Sequence, residues 1–258
     1  DLAKQHLNME VFRTLLQAPR PGPDPIQHVL SPALERGQQP SLPVAVAQDE
    51  AFHFRYPEMQ ECLELLGMPV LPWSPLSDTA PPAEATGLIL PGGFPELHAD
   101  QLSECKTTFS ALHAWIRDKP IYAECGGMLL LGRGLADPDG TLHAMAGLLP
   151  FEAKRGRLQV GYRQLEARTD SLLLRQGERL RGHEFHRWQL CRESDESVGS
   201  FGPLWQVEGW KVERRAEGWN LPNLHASWVH LHWGGSSTIP CRWRAALGFA
   251  AKRNVAAL

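Results

Sequence analysis

Apolar residues fall into short unbroken runs in the first half of this chain, and the stretches between the runs carry a helical period. Val44-Ala45-Val46-Ala47, Val70-Leu71, Gly87-Leu88-Ile89-Leu90 and Ile121-Tyr122-Ala123 read as strands buried on both faces. Tyr56 to Leu66 reads as a helix ending at Gly67, a residue type suited to the position just past a helix. Leu102 to Arg117 reads as another, with Phe109, Leu112, Trp115 and Ile116 on one face. Strands alternating with helices predict an α/β fold, a parallel sheet with helices on both faces.

Both ends and the second half have other patterns. Residues 1–18 predict one amphipathic helix with Leu2, Leu7, Met9, Val11, Phe12, Leu15 and Leu16 apolar. Residues 19–43 hold seven prolines and almost no period, which predicts a linker or a draped extended segment. Met145 to Leu190 breaks into short segments with turn signals, predicting antiparallel strands added to an edge or forming a flap. Residues 192–219 are polar and predict a loop region with room for one hairpin, and Arg242 to Leu258 predicts a C-terminal helix. Seven of the nine tryptophans lie beyond residue 180, so this half has bulky side chains to bury.

Composition narrows the function class. The 258 residues fit one large domain, or a domain with an appendage. With 26 basic and 29 acidic residues the formal charge is −3, which gives no footing for nucleic acid or an anionic membrane. No apolar run approaches the roughly 20 residues that span a bilayer, and Asp1 to Glu10 carries charge where a secretory signal would be apolar. Five cysteines without a C-x-x-C pair argue against a disulfide framework or a Cys-rich zinc site and for a reducing cytoplasm. An opening at Asp1 rather than Met reads as a piece of something longer.

The chemistry centres on Pro120 to Leu131. A buried-type strand runs into Glu124-Cys125-Gly126-Gly127 and then Met128 to Leu131, a helix former. Strand, tight turn and helix place one thiol at the corner, the nucleophile-elbow arrangement with Cys in place of Ser. A helix N-terminus beside the sulfur would favour its thiolate. A buried structural cysteine next to a glycine turn fits the same residues. Leu90-Pro91-Gly92-Gly93 also follows a predicted strand, so both turns belong on the rim beyond the strand ends, where such sheets bind ligands. A glycine turn there can aim an N–H at a developing oxyanion, with the N–H of Gly126 as second donor; Gly-Gly after a strand is also an ordinary turn. Ala226 to Trp233 contains His230 and His232, either of which could be the base that a cysteine nucleophile needs. His230 and His232 on one strand, with His225 as third ligand, also have a metal-binding spacing, and His183, Glu184 and His186 separately offer two His and a carboxylate, but no convergence of three ligands is visible, and no metal is expected. Cys62, Cys105, Cys191 and Cys241 are expected to be inert.

These segments together resemble the glutamine amidotransferase domain of the cobyrinic acid a,c-diamide synthase family, within the class I amidotransferases. The resemblance rests on Ala45 to Phe52, Phe54 to Glu58, Trp73 to Leu76, Pro91 to Leu97, Tyr122 to Gly127, Gly161 to Arg163, Arg181 to His186, and Ala226 to His232. It implies a flavodoxin-like fold in which Cys125 attacks the side-chain amide of glutamine, Gly93 and Gly126 hold the oxyanion, and His230 is the base. Gly92 would support the turn, and His232 would be the fallback base. Class I enzymes place a Glu two residues after the His; here that position is His232, so what orients the imidazole stays open, and Glu96, Glu124 and Glu184 are not assigned to it. The resemblance also implies that residues 1–42 are the end of an ATP-dependent synthetase domain plus linker, and 43–258 the amidotransferase domain. That synthetase domain would use ATP and Mg2+ to activate corrinoid (cobyrinate) carboxylates and would receive the ammonia. No G-x-x-x-x-G-K-[ST] motif occurs in this chain, so no cofactor is expected in it. Two alternatives are a Cys–His hydrolase of the same superfamily acting on a substrate other than glutamine, and a non-catalytic scaffold of amidotransferase shape.

Overall fold

The computed structural model describes residues 2–16, 22–34, 40–191, 202–210 and 212–256. The first segment holds two short helices, α1 (Leu2–His6) and α2 (Met9–Leu15), where the pattern predicts one. The Asn8 side chain divides them by accepting the N–H groups of Glu10 and Val11 at 3.1 and 3.2 Å, an N-cap in the middle of the apolar stripe. The linker expected over residues 19–43 is corrected by α3 (Pro25–Leu34). Asp24 caps its start, accepting from the N–H of Ile26 at 2.9 Å, and Pro25 takes a first-turn position where a missing N–H costs nothing. Pro32 leaves the His28 carbonyl without its helical donor, and the Ser31 hydroxyl supplies one at 2.9 Å. Residues 19–21, 35–39 and 192–201, which belong to the expected linker and loop, lie outside the described residues.

The α/β unit begins with β1 (Val44–Ala47), β2 (Phe52–Phe54), α4 (Pro57–Leu65), β3 (Val70–Trp73), β4 (Gly87–Leu90), β5 (Gly92–Gly93), α5 (Ala99–Ser103), α6 (Lys106–Asp118), β6 (Ile121–Glu124) and α7 (Gly126–Leu129). Next come β7 (Gly134–Ala136), β8 (Leu142–Ala144), β9 (Glu152–Ala167), β10 (Arg179–Cys191), β11 (Trp205–Gly209) and β12 (Val212–Glu217). The chain closes with β13 (Trp219–Leu221), β14 (Leu224–Ser227) and α8 (Thr238–Ala256). One sheet has the order β13-β14-β6-β4-β1-β3, parallel except for β13. A second has β12-β11-β9-β7-β8, with β10 on β9, and β2 and β5 form a two-stranded pair.

Strand period two sorts the core. Ala45, Ala47, Leu88, Leu90, Ile121 and Ala123 pack with Leu102, Phe109, Leu112 and Trp115 of α5 and α6. Their neighbours Val44, Val46, Ile89 and Tyr122 pack with Met59, Cys62 and Leu63 of α4, Trp243 and Leu247 of α8, and Ile26 and Leu30 of α3. Helices therefore cover both faces, as the pattern predicts, and α3 contributes to one of the two cores. Burial pushes the Cys62 thiol up to about 11, which leaves it unreactive. The antiparallel strands expected over Met145 to Leu190, at an edge or as a flap, are the 16-residue β9 and the 13-residue β10, longer than the short segments in the pattern and joined as one hairpin of the second sheet. Six late tryptophans, at 188, 205, 219, 228, 233 and 243, are buried, while Trp210 is exposed. Among the described residues no helix is long and apolar enough to cross a membrane.

Candidate active site

Cys125 stands between β6 and α7 with φ 47° and ψ −110°, a conformation rare for a residue with a side chain. Such a backbone costs about 1–3 kcal/mol and persists where its surroundings impose it. Here β6 and β14 pair in parallel up to Glu124 and Ser227, and the Cys125 N–H then donates to the Ser227 carbonyl at 2.8 Å. The helix expected through Leu131 stops after four residues in tighter turns at Leu131 and Gly132. A dipole of one turn is a weak lever on the sulfur, and the strong partner of the thiol is a side chain.

That side chain is His230. It is hydrogen-bonded to the Cys125 thiol, and its Nδ1 lies 3.2 Å from Glu124 Oε2. Glu124 is the residue whose role the sequence leaves open. It ends β6 on the same face as Tyr122, two positions earlier, and the Tyr122 hydroxyl donates to its Oε1. The Leu231 N–H donates to the same oxygen at 2.9 Å, so the carboxylate is buried with both oxygens engaged. Burial by itself would pull His230 down; the bonds to Cys125 and Glu124 and their charge outweigh it and hold the imidazole up at about 10. Because His230 sits above its unfolded value of about 6.5, the stability it adds is complete below that pH and is lost as pH rises through about 10.

The other expected site residues divide. Gly92, Gly93 and Gly126 gather around the elbow. A Cβ on Gly92 would stand 2.7 Å from His230 Cε1, and one on Gly126 would stand 2.9 Å from Gly93 N. His232 is elsewhere: it is half exposed, with Nε2 3.5 Å from Glu58 and its ring edge-on to Tyr56, so the fallback assignment is corrected. Residues 230–232 follow β14 rather than continue it, so the two rings do not share a face. His225 is buried and stacked on Tyr122, and burial holds it down at about 3, a neutral core residue. Among the described residues no group of three or more His, Cys, Asp or Glu could hold a metal ion.

The β9–β10 hairpin covers the elbow. His183 and His230 exchange backbone hydrogen bonds of 3.0 and 2.8 Å, and the Phe185 carbonyl lies 3.8 Å from Cys125 Sγ. Under the hairpin Glu184 is fully buried, 2.5 Å from Arg163 Nε and paired also with Arg215. Burial raises the Glu184 carboxyl, but His186, Arg215 and Arg163 overcome this and bring it to about 2. Removing one partner of a buried pair strands the other. Glu184→Ala should therefore cost about 3–5 kcal/mol in urea unfolding, and a loss under about 1 kcal/mol would show the pair to be solvated in solution. Between hairpin and elbow lies a cavity of about 370 Å3, lined by Cys125, Gly93, Gly126, Glu96, Phe185 and Trp228 among others.

This arrangement can add a thiolate to a carbonyl carbon, meet the oxyanion with N–H groups, and return a proton to the leaving group. Residues 43–238 match the CobB/CobQ-like glutamine amidotransferase domain. The chain is similar to the cobyrinate a,c-diamide synthase of Synechocystis sp., 35% identical over 247 residues, covering 95% of this chain and 50% of that one. It is also similar to the hydrogenobyrinate a,c-diamide synthase of Mesorhizobium japonicum, 36% identical over 193 residues, covering 74% of this chain and 42% of that one. The chain thus spans half the length, or less, of these relatives. Among solved structures it resembles PurLQS from Thermotoga maritima in fold, with TM-score 0.56 at 16% identity, covering 81% of this chain and 99% of that one.

Proposed function

Because this chain belongs to the CobB/CobQ-like glutamine amidotransferase family, we propose that it hydrolyses glutamine at Cys125 and supplies the ammonia for amidating corrinoid carboxylates. The observation that carries the residue assignment is the strained Cys125 hydrogen-bonded to a His230 that Glu124 anchors. In the reading that follows, Sγ adds to the side-chain amide carbon of glutamine. The N–H groups of Gly93 and Gly126 receive the oxyanion, and His230 gives its proton to the departing nitrogen. Ammonia leaves, a thioester remains, and water returns the thiol and glutamate.

The acceptor half of the reaction belongs to the same proposal. It draws on the names of the relatives, which include both cobyrinate and hydrogenobyrinate a,c-diamide synthases. We assign ATP, Mg2+ and the corrinoid to a separate synthetase domain, and count α3 with the amidotransferase domain, because Ile26 and Leu30 pack into its core. The test is glutamate release from L-glutamine by the full chain, alone and with a synthetase domain added, together with covalent labelling by a diazo-ketone glutamine analogue. Glutamate formation with one label at Cys125 is expected. Absence of both, with the synthetase domain present, would leave a scaffold.

A further inference from the structure

Glu217 is a buried carboxylate that the chemistry described so far does not use. It ends β12 in the second sheet, and Gly218, with φ 84°, turns the chain into β13 of the first. Its Oε2 accepts from the Trp205 indole N–H and from the Ser227 hydroxyl, each at 2.6 Å, and its Oε1 accepts from the Trp228 N–H at 2.9 Å. No Lys, Arg or His pairs with it among the described residues, and the charge that acts on it, Glu184, is of like sign. Burial raises the carboxyl, and the bonds from Ser227, Trp228 and Trp205 oppose the shift. Apolar side chains would join the two sheets at less cost than a buried acid without a cation. What the acid supplies is a fixed place for its donors.

Two of those donors lie between the segments that carry the thiol and the base. The Ser227 carbonyl and the Trp228 N–H belong to one planar trans peptide, so they point opposite ways. On one side of that plane Glu217 accepts from Trp228; on the other, the carbonyl accepts the Cys125 N–H at 2.8 Å. The Ser227 hydroxyl bonded to Glu217 also accepts, at 2.9 Å, the N–H of Val229, the residue before His230. The acceptor that holds Cys125 at φ 47° is therefore fixed from behind by a carboxylate of the other sheet. We propose that Glu217 is a positioning residue for the thiol: it locks the Ser227–Trp228 peptide, and that peptide keeps the Cys125 backbone strained with its sulfur at His230. This rests on the reading of Cys125 and His230 as the reacting pair, and not on the identity of the substrate. An amide at 217 would turn an N–H toward one of the three donors and free the peptide to rotate. The Cys125 N–H would then lose its acceptor, and the elbow would relax.

The test is the rate at which iodoacetamide alkylates each cysteine of the full chain at neutral pH, read by peptide mass. Buried Cys62 monitors unfolding in the same sample. Glu217→Gln should slow Cys125 on the order of tenfold or more while Cys62 stays protected. With the synthetase domain added, it should lower kcat for glutamate release rather than raise KM. Ser227→Ala, which removes one donor and keeps the carbonyl, should slow Cys125 on the order of threefold. An unchanged Cys125 rate in Glu217→Gln with Cys62 protected, or a higher KM at unchanged kcat, overturns the assignment. If Glu217→Gln exposes Cys62, Ser227→Ala decides: a slower Cys125 with Cys62 protected supports positioning, and an unchanged rate overturns it. His230→Ala scores the underlying reading. A Cys125 rate unchanged by it removes the reacting pair and the Glu217 role together, whereas slowing there and not in Glu217→Gln removes the Glu217 role alone.

Discussion

Cys125→Ala should lower glutamate release from L-glutamine on the order of ten-thousandfold or more, because no neighbouring group can replace a nucleophile that forms a covalent intermediate. The variant should fold normally. Its backbone sits in the same pocket between β6 and α7, and the N–H to Ser227 carbonyl bond does not involve the sulfur. Glutamine binding should survive, since the cavity residues other than the thiol are untouched. Steady-state assay with calorimetry separates the two: retained turnover would remove Cys125 from the chemistry, and lost binding would indicate collapse of the site instead.

Glu124→Gln is the second large effect and the more diagnostic. Its remaining carbonyl can keep the bonds from Tyr122 and Leu231, but the new amide would face His230 Nδ1 as a donor. Nδ1 must then accept, and the ring proton moves to Nε2, the nitrogen left to serve the thiol. An imidazole in that tautomer cannot take the Cys125 proton, an effect of roughly 10²–10⁴-fold in kcat with little change in KM. The pH profile adds a sign. Glu124 is among the groups holding His230 at about 10, so its neutralisation lowers that value and moves the alkaline limb of activity to lower pH. A stability loss with an unmoved limb would reduce Glu124 to a structural carboxylate.

How much of this was legible depends on what each residue does locally. The strands of the parallel sheet could be read because both their faces are buried, so their apolar runs are continuous. The β9–β10 hairpin could be read as antiparallel strands but not in its length: its burial alternates irregularly, and much of both strands is exposed and charged. Prolines hid α3, although Asp24-Pro25 is a start signal in its own right. Cys125, His230 and the glycines stood out by residue type and position. Glu124 did not, since the expected acid lies two residues beyond the histidine. The signal available was parity: a carboxylate ending a strand buried along its length, on the tyrosine face, must find donors in the core.

The backbone bridge between His183 and His230 has a consequence for how activity is acquired. Glu124 and His230 lie 106 positions apart, and the base is fixed on one side by the parallel sheet and on the other by the hairpin of the second. Closing so long a loop is slow and depends on contacts made late. During refolding, sheet structure should therefore return before a competent base is in place. The catalytic pair is a property of the assembled sheets rather than of the elbow, and a chain with one sheet formed would have its thiol and no acid–base partner to work it.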